Sequence, residues 1–185
     1  MVPILALWLP ILLSAVFVFV LSSLIHMVAG YHAGDYRKVP NEDGLMDALK
    51  KLNIPPGNYM FPRPANMKEM GTPEFKEKVL KNPNGLLRIW EGTTSMAAPM
   101  TMWFVYSLVV GVFAAYVAGR ALPEGAHYLA VFRFAGVTGF VAYALAGWQE
   151  SIWYKRPWSV TLKNTFDGLL YGLVTAGTFG WLWPH

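Results

Sequence analysis

Three ionisable side chains in this sequence fall inside long apolar runs, where a charge near a bilayer centre costs at least about 2.5 kcal/mol and so needs a reason to be there. They are His26, Arg133 and Asp167. In the topology argued below, His26 and Asp167 lie at comparable depth and can form a hydrogen-bonded pair. Histidine titrates near neutral pH, so such a pair could accept a proton, although nothing else in the sequence supplies a proton path. The plainer assignment puts Asp167 in the first turn of its helix, where a carboxylate complements the amino-terminal dipole. Arg133 lies five or six residues inside its span, about 8 Å at 1.5 Å per residue. It either snorkels outward and pairs with Glu124, or serves a solute or anion site.

Metal and cofactor chemistry finds less support. His26 and His32 are six residues apart, do not share a helical face, and no second span contains a histidine, which argues against a haem held by paired histidines. Met60, Met67 and Met70 are soft enough for copper, but their loop is placed in the cytoplasm and the chain has no cysteine, so that idea is set aside. The lack of cysteine also excludes disulfides and a thiolate nucleophile. No serine-histidine-acid order, phosphate-binding glycine loop or dinucleotide fingerprint occurs. The expectation is a protein without cofactor or metal, and not an enzyme.

The elements that must position these residues are set by composition. Hydrophobic residues make up 55% of the 185 and charged residues only 14%, with a positive mean hydropathy of +0.35. That balance suits a lipid bilayer as solvent rather than water. Four segments have the roughly 18 or more apolar residues needed to cross a hydrocarbon core of about 30 Å. They are Leu5 to Ala29, Ala97 to Gly119, Tyr128 to Trp148 and Phe166 to Trp183. The first has no basic residue ahead of it and no small-x-small exit, so it reads as a retained helix rather than a signal peptide. The predicted fold is an all-α integral membrane protein: a first transmembrane helix in 1–29, a polar insertion in 30–96, and in 97–185 three helices that complete a four-helix bundle.

Basic residues orient the chain. The insertion carries ten of the fifteen Lys and Arg residues, with Arg37, Lys38 and Arg88 nearest the spans, while the residues before the first span carry none. Positive loops stay on the cytoplasmic side, so the insertion is predicted inside and both termini outside. Eight acidic residues offset the ten basic ones and leave the insertion near +2. Such alternating charge does not make a nucleic-acid face.

Within the insertion, Asn41 and Asp43 precede Leu45, Met46, Ala48, Leu49 and Leu52, apolar positions at helical spacing. This predicts a short amphipathic helix ended by Ile54-Pro55-Pro56-Gly57. Tyr59 to Pro64 is predicted extended because closely spaced prolines oppose helix formation. A second helix is predicted from Thr72-Pro73-Glu74, with Thr72 as its cap and Pro73 in its first turn. Leu86, Leu87, Ile89 and Trp90 suit a short strand or interfacial stretch.

Small residues mark where helices approach. Ser107, Gly111, Ala115 and Gly119 recur every fourth residue in the second span, and Gly168, Gly172, Ala176 and Gly180 in the fourth. Such stripes allow close helix packing, either within the chain or between copies. Tryptophans fall toward span ends, with Trp8, Trp181 and Trp183 at one interface and Trp103, Trp148, Trp153 and Trp158 toward the other, as in aromatic belts.

In its last third, Ser151-Ile152-Trp153-Tyr154-Lys155-Arg156-Pro157-Trp158 leads into Asp167-Gly168-Leu169-Leu170-Tyr171-Gly172. This stretch resembles small four-span bacterial membrane proteins of uncharacterised function. The resemblance implies their fold and a bacterial inner membrane, and it carries no activity. The leading expectation is a non-enzymatic membrane subunit or scaffold in the lipid bilayer, as a homo-oligomer or part of a larger membrane complex, without nucleic acid. The alternative is a small-solute or ion carrier using Arg133, His26 and Asp167.

Overall fold

The first helical stretch begins with a 3-10 turn, Ile4–Leu7, and continues as α1, Trp8–Leu24. Pro10 lies in the first turn of α1, where its missing amide breaks no intrahelical bond. The stretch closes with a wider π turn, Ile25–Ala29, and Gly30 at φ 65° reverses the chain. Only glycine adopts that left-handed conformation without strain. The computed structural model describes residues 1–81, 83–92 and 94–185.

Residues 38–94 form one compact unit and the remainder of the chain another. In the smaller unit, α2, Glu42–Leu52, starts where Asn41 accepts a hydrogen bond from the Gly44 amide, as its capping sequence predicts. Strand β1, Gly57–Phe61, is followed by a single turn, α3, Met67–Met70. Helix α4, Pro73–Leu80, is capped by Thr72, whose hydroxyl accepts from the Phe75 amide. Strand β2, Gly85–Ile89, then pairs antiparallel with β1, from Gly57 opposite Ile89 to Phe61 opposite Gly85. The fold is mostly helical as predicted, and this small two-stranded sheet is a departure from the all-α expectation. Both extended runs are visible in the sequence, but their pairing spans nearly thirty residues and leaves no local mark.

The larger unit continues with α5, Ala97–Ala121, and α6, Tyr128–Ala144. A 3-10 turn at Leu145–Gly147 leads into α7, Trp148–Tyr154, and the chain ends with α8, Trp158–Trp181. Helix α1 packs on α5 and α8, and α6 packs on α5 and most extensively on α8. Among the described residues, three helical stretches are long and apolar enough to cross a membrane: Ile4–Ala29, Ala97–Ala121 and Tyr128–Tyr154. The expectation of four is corrected. Helix α8 has the length but not the apolarity, because it contains Lys163, Asn164, Asp167 and several threonines. Most of that polarity is turned inward: Thr161, Asp167, Thr175 and Thr178 are buried. Around it the outward faces are apolar, with Phe113 and Val137 about three-fifths exposed. Helices that are apolar on their outer faces suit a lipid environment.

The small-residue stripes are filled from within the chain. A side chain at Gly172 would place its Cβ 2.9 Å from the Phe140 amide nitrogen of α6, and one at Gly119 would place it 2.6 Å from the Val2 carbonyl. The Val2 amide also donates to the Gly119 carbonyl at 2.8 Å. Near the termini the core consists of Leu7, Ala114, Ala118, Val131 and Ala135, closed by Phe179 and Trp183. Trp183 is 2% exposed and donates to the Pro123 carbonyl at 2.9 Å, so it belongs to this core rather than to an aromatic belt.

Candidate functional site

At the other end of the larger unit, the core changes from aliphatic to aromatic and polar. Val18, Ile25 and Tyr171 are buried together against Trp103, Tyr143 and Tyr31. Beyond them a cleft of about 470 Å³ opens between the helices. Its wall is formed by Phe19, Ser22 and His26 from the first helical stretch, Met100 and Trp103 from α5, Tyr143 from α6, and Asn164, Asp167 and Tyr171 from α8. Trp103 is fixed by donating its indole N–H to the Ser22 hydroxyl at 2.8 Å.

The polar side of the cleft is built by the reversal at Gly30. The chain folds back in two tight turns, with the Ala33 amide donating to the Gly30 carbonyl and the Asp35 amide to the His32 carbonyl. Tyr31, His32 and Asp35 are thereby carried over α8, where Lys163, Asp167 and Tyr171 share one face at four-residue spacing. Lys163 Nζ donates to the Tyr31 carbonyl at 2.7 Å and to Asp35 Oδ1 at 2.6 Å. His32 bridges two carboxylates, with Nδ1 2.6 Å from Asp35 Oδ2 and Nε2 2.8 Å from Asp167 Oδ2. The Tyr31 hydroxyl donates to Asp167 Oδ1. The result is a continuous chain of contacts, Lys163 to Asp35 to His32 to Asp167 to Tyr31.

Its electrostatics follow from these contacts. The Asp35 side chain is only 7% exposed. The Lys163 ammonium beside it, and then the His32 ring, hold its carboxyl below the usual carboxylate range. Asp35 is therefore an acceptor and His32 Nδ1 carries the donated hydrogen. At 2.8 Å the contact of Nε2 with Asp167 is a hydrogen bond whose proton can sit on the ring or on the carboxyl. His26 stacks on the same ring, with centroids 4.7 Å apart and planes 5° from parallel. Its Nδ1 lies 2.9 Å from the Ser22 carbonyl, which can only accept, so Nδ1 donates and Nε2 is left with no partner of its own in that contact. One further group stands apart: the Tyr171 hydroxyl is buried and has no hydrogen-bond partner among the described residues.

The chain matches no family model, no curated protein and no solved structure. Its chemistry must be read from its own side chains.

The structure brings His26 and Asp167 into one cluster and adds residues that the sequence did not mark. Asp167 is not at the amino terminus of its helix. Helix α8 begins at Trp158, so Asp167 lies nine residues in, about 13 Å along the axis and well beyond the reach of the end dipole. The apolar window missed this start because the first turns of α8 are polar. His26 and His32 do meet, because the Gly30 reversal ends the helix whose face they would have had to share. Arg133 takes no part: it is exposed on α6, ten residues and about 15 Å from Tyr143 at the cleft. Arg133 and Glu124 form no ion pair among the described residues. Met60, Met67 and Met70 belong to the 38–94 unit.

Proposed function

We propose that this chain is an integral membrane protein that binds, and in its membrane carries, a small cation held in the cleft beside Asp167. The membrane is a bacterial inner membrane, with the 30–96 segment on its cytoplasmic side; Arg37, Lys38 and Arg88 support that side. The observation that carries the reading lies on α8. Asp167 and Tyr171, one turn apart and both buried, contribute a carboxylate and an unpartnered hydroxyl to a cleft whose wall is otherwise mostly apolar. A buried hydroxyl without a partner costs about 1–3 kcal/mol, which a bound ligand would recover.

The wall selects the sign of that ligand. The Asp167 carboxylate and the rings of Phe19, Trp103 and Tyr143 favour positive charge. No lysine or arginine lines the cleft among the described residues, and the nearby Lys163 is committed to Asp35. The glycine stripes are occupied by the chain's own helices, so they add nothing for a partner.

The test is equilibrium binding of rubidium, zinc and tetraethylammonium ions to the detergent-purified chain, with phosphate as the control. One cation of these classes should bind at about one per chain. Asp167→Asn, which keeps the shape and an acceptor for Tyr31, should abolish that binding without changing helix content. Absence of any cation binding, or binding indifferent to Asp167→Asn, would overturn the proposal.

A further inference from the structure

Three donor atoms converge at this cluster. One atom each from His26, His32 and Asp167 lies within 4.8 Å of the other two. A tetrahedral metal site with bonds of about 2.1 Å to nitrogen and oxygen separates its ligand atoms by about 3.4 Å. The group is therefore within a small ring movement of a coordination shell.

The surrounding hydrogen bonds prepare both rings for the same task. His32 Nδ1 donates to Asp35 and His26 Nδ1 donates to the Ser22 carbonyl, so each ring directs its lone pair through Nε2. Metal-ligating histidines are typically fixed in this way, by a carboxylate or a main-chain carbonyl behind the ring. His26 and Asp167 both line the cleft from which an ion would arrive, and a metal would take the place of the proton in the hydrogen bond between His32 Nε2 and Asp167. The unpartnered, buried Tyr171 hydroxyl on the same wall is a separate sign that the cleft holds a ligand.

We infer that the cation is a divalent first-row transition metal held by His26, His32 and Asp167, an assignment that rests on the cleft being a cation site. Two imidazoles and one carboxylate suit zinc and its neighbours better than calcium or magnesium, which take oxygen ligands almost throughout. Three protein ligands leave a coordination position free, as in metal sites that exchange or act on a substrate.

The probes are Zn²⁺ and Co²⁺, titrated into the detergent-purified full chain. One ion per chain is expected, with Co²⁺ giving the visible absorption of a four- or five-coordinate site. X-ray absorption of the zinc-loaded wild-type chain should show two imidazoles with light-atom neighbours and no sulfur near about 2.3 Å. His26→Ala should weaken zinc binding at least tenfold, and the wild-type spectrum keeps the test decisive should that variant fold poorly. Sulfur neighbours would assign the ion to the methionines that also line the cleft, Met27, Met96 or Met100, and overturn the ligand set. Failure to bind Zn²⁺ and Co²⁺, with Asp167-dependent binding of rubidium or tetraethylammonium retained, would overturn the metal and leave the cation site standing. Failure of every cation would remove both.

Discussion

His32 Nε2 lies 2.8 Å from Asp167 Oδ2, which ties a ring just beyond the first helical stretch to the tenth residue of the last helix. The tie is held from behind. Asp35 grips the other ring nitrogen, and Lys163 neutralises Asp35 while also holding the Tyr31 carbonyl. Every charged group in this network has a partner of opposite sign or a hydrogen bond, which is the condition under which buried charge is tolerated.

Lys163→Met tests that condition. It leaves the Asp35 carboxylate of a part-buried pair without its counter-ion, and losing a hydrogen bond to a charged group costs at most about 1.5–3 kcal/mol. Thermal unfolding in detergent should show a clear loss, and adding Asp35→Asn should recover much of it because the unpaired charge is then removed. An unchanged melting temperature in Lys163→Met would mean that Asp35 is solvated and the pair contributes little.

Two glycines of α8 make opposite predictions. At Gly172 a Cβ would meet the α6 main chain at 2.9 Å, so Gly172→Ala should destabilise by about 1–3 kcal/mol through forced separation of α6 and α8. At Gly177 the nearest atom is the Tyr128 hydroxyl at 3.7 Å, so Gly177→Ala has room and should gain up to about 1 kcal/mol from the restricted unfolded chain. Equal effects at the two positions would contradict the packing described.

The sequence exposed what depends on local pattern. The apolar runs of the first three spans, the caps at Asn41 and Thr72 and the small-residue stripes could all be read directly, because each follows from composition or from spacing of three or four residues. Helix α8 was only partly legible. A hydropathy window treats Lys163, Asn164 and Asp167 as breaks in a span, whereas in the fold Lys163 and Asp167 face the segment after Gly30. The site was legible as single residues, His26 and Asp167, but not as a cluster. The missing signal was Gly30 followed by Tyr31-His32 and Asp35, which reads as a polar loop until the positive φ at Gly30 turns it over α8. Lys163, Asp167 and Tyr171 at four-residue spacing were a usable clue to its other half.

Arg133 separates this site from the alternative carrier reading, which grouped it with His26 and Asp167. It sits on α6 about 15 Å from the cleft by helical rise, outside the hydrogen-bonded chain. Arg133→Leu should therefore leave zinc binding within twofold of wild type, while shifting stability by less than about 1 kcal/mol, as is usual for exposed positions. A large loss of binding with folding intact would restore Arg133 to the functional site.

Tyr171→Phe gives the most discriminating outcome, because binding and stability should move in opposite directions. The Tyr171 hydroxyl is buried without a partner, and removing such a group relieves a desolvation cost while the ring keeps its packing against Trp103 and Tyr143. In the absence of ligand, Tyr171→Phe should be as stable as wild type or more stable by up to about 1 kcal/mol. If the hydroxyl is kept for a ligand in the cleft, the same change should weaken zinc binding several-fold. Paired measurements of thermal unfolding without metal and of zinc affinity by calorimetry decide the matter. A variant that is less stable but binds as well as wild type would mean that the hydroxyl has a structural partner and that the ligand sits elsewhere.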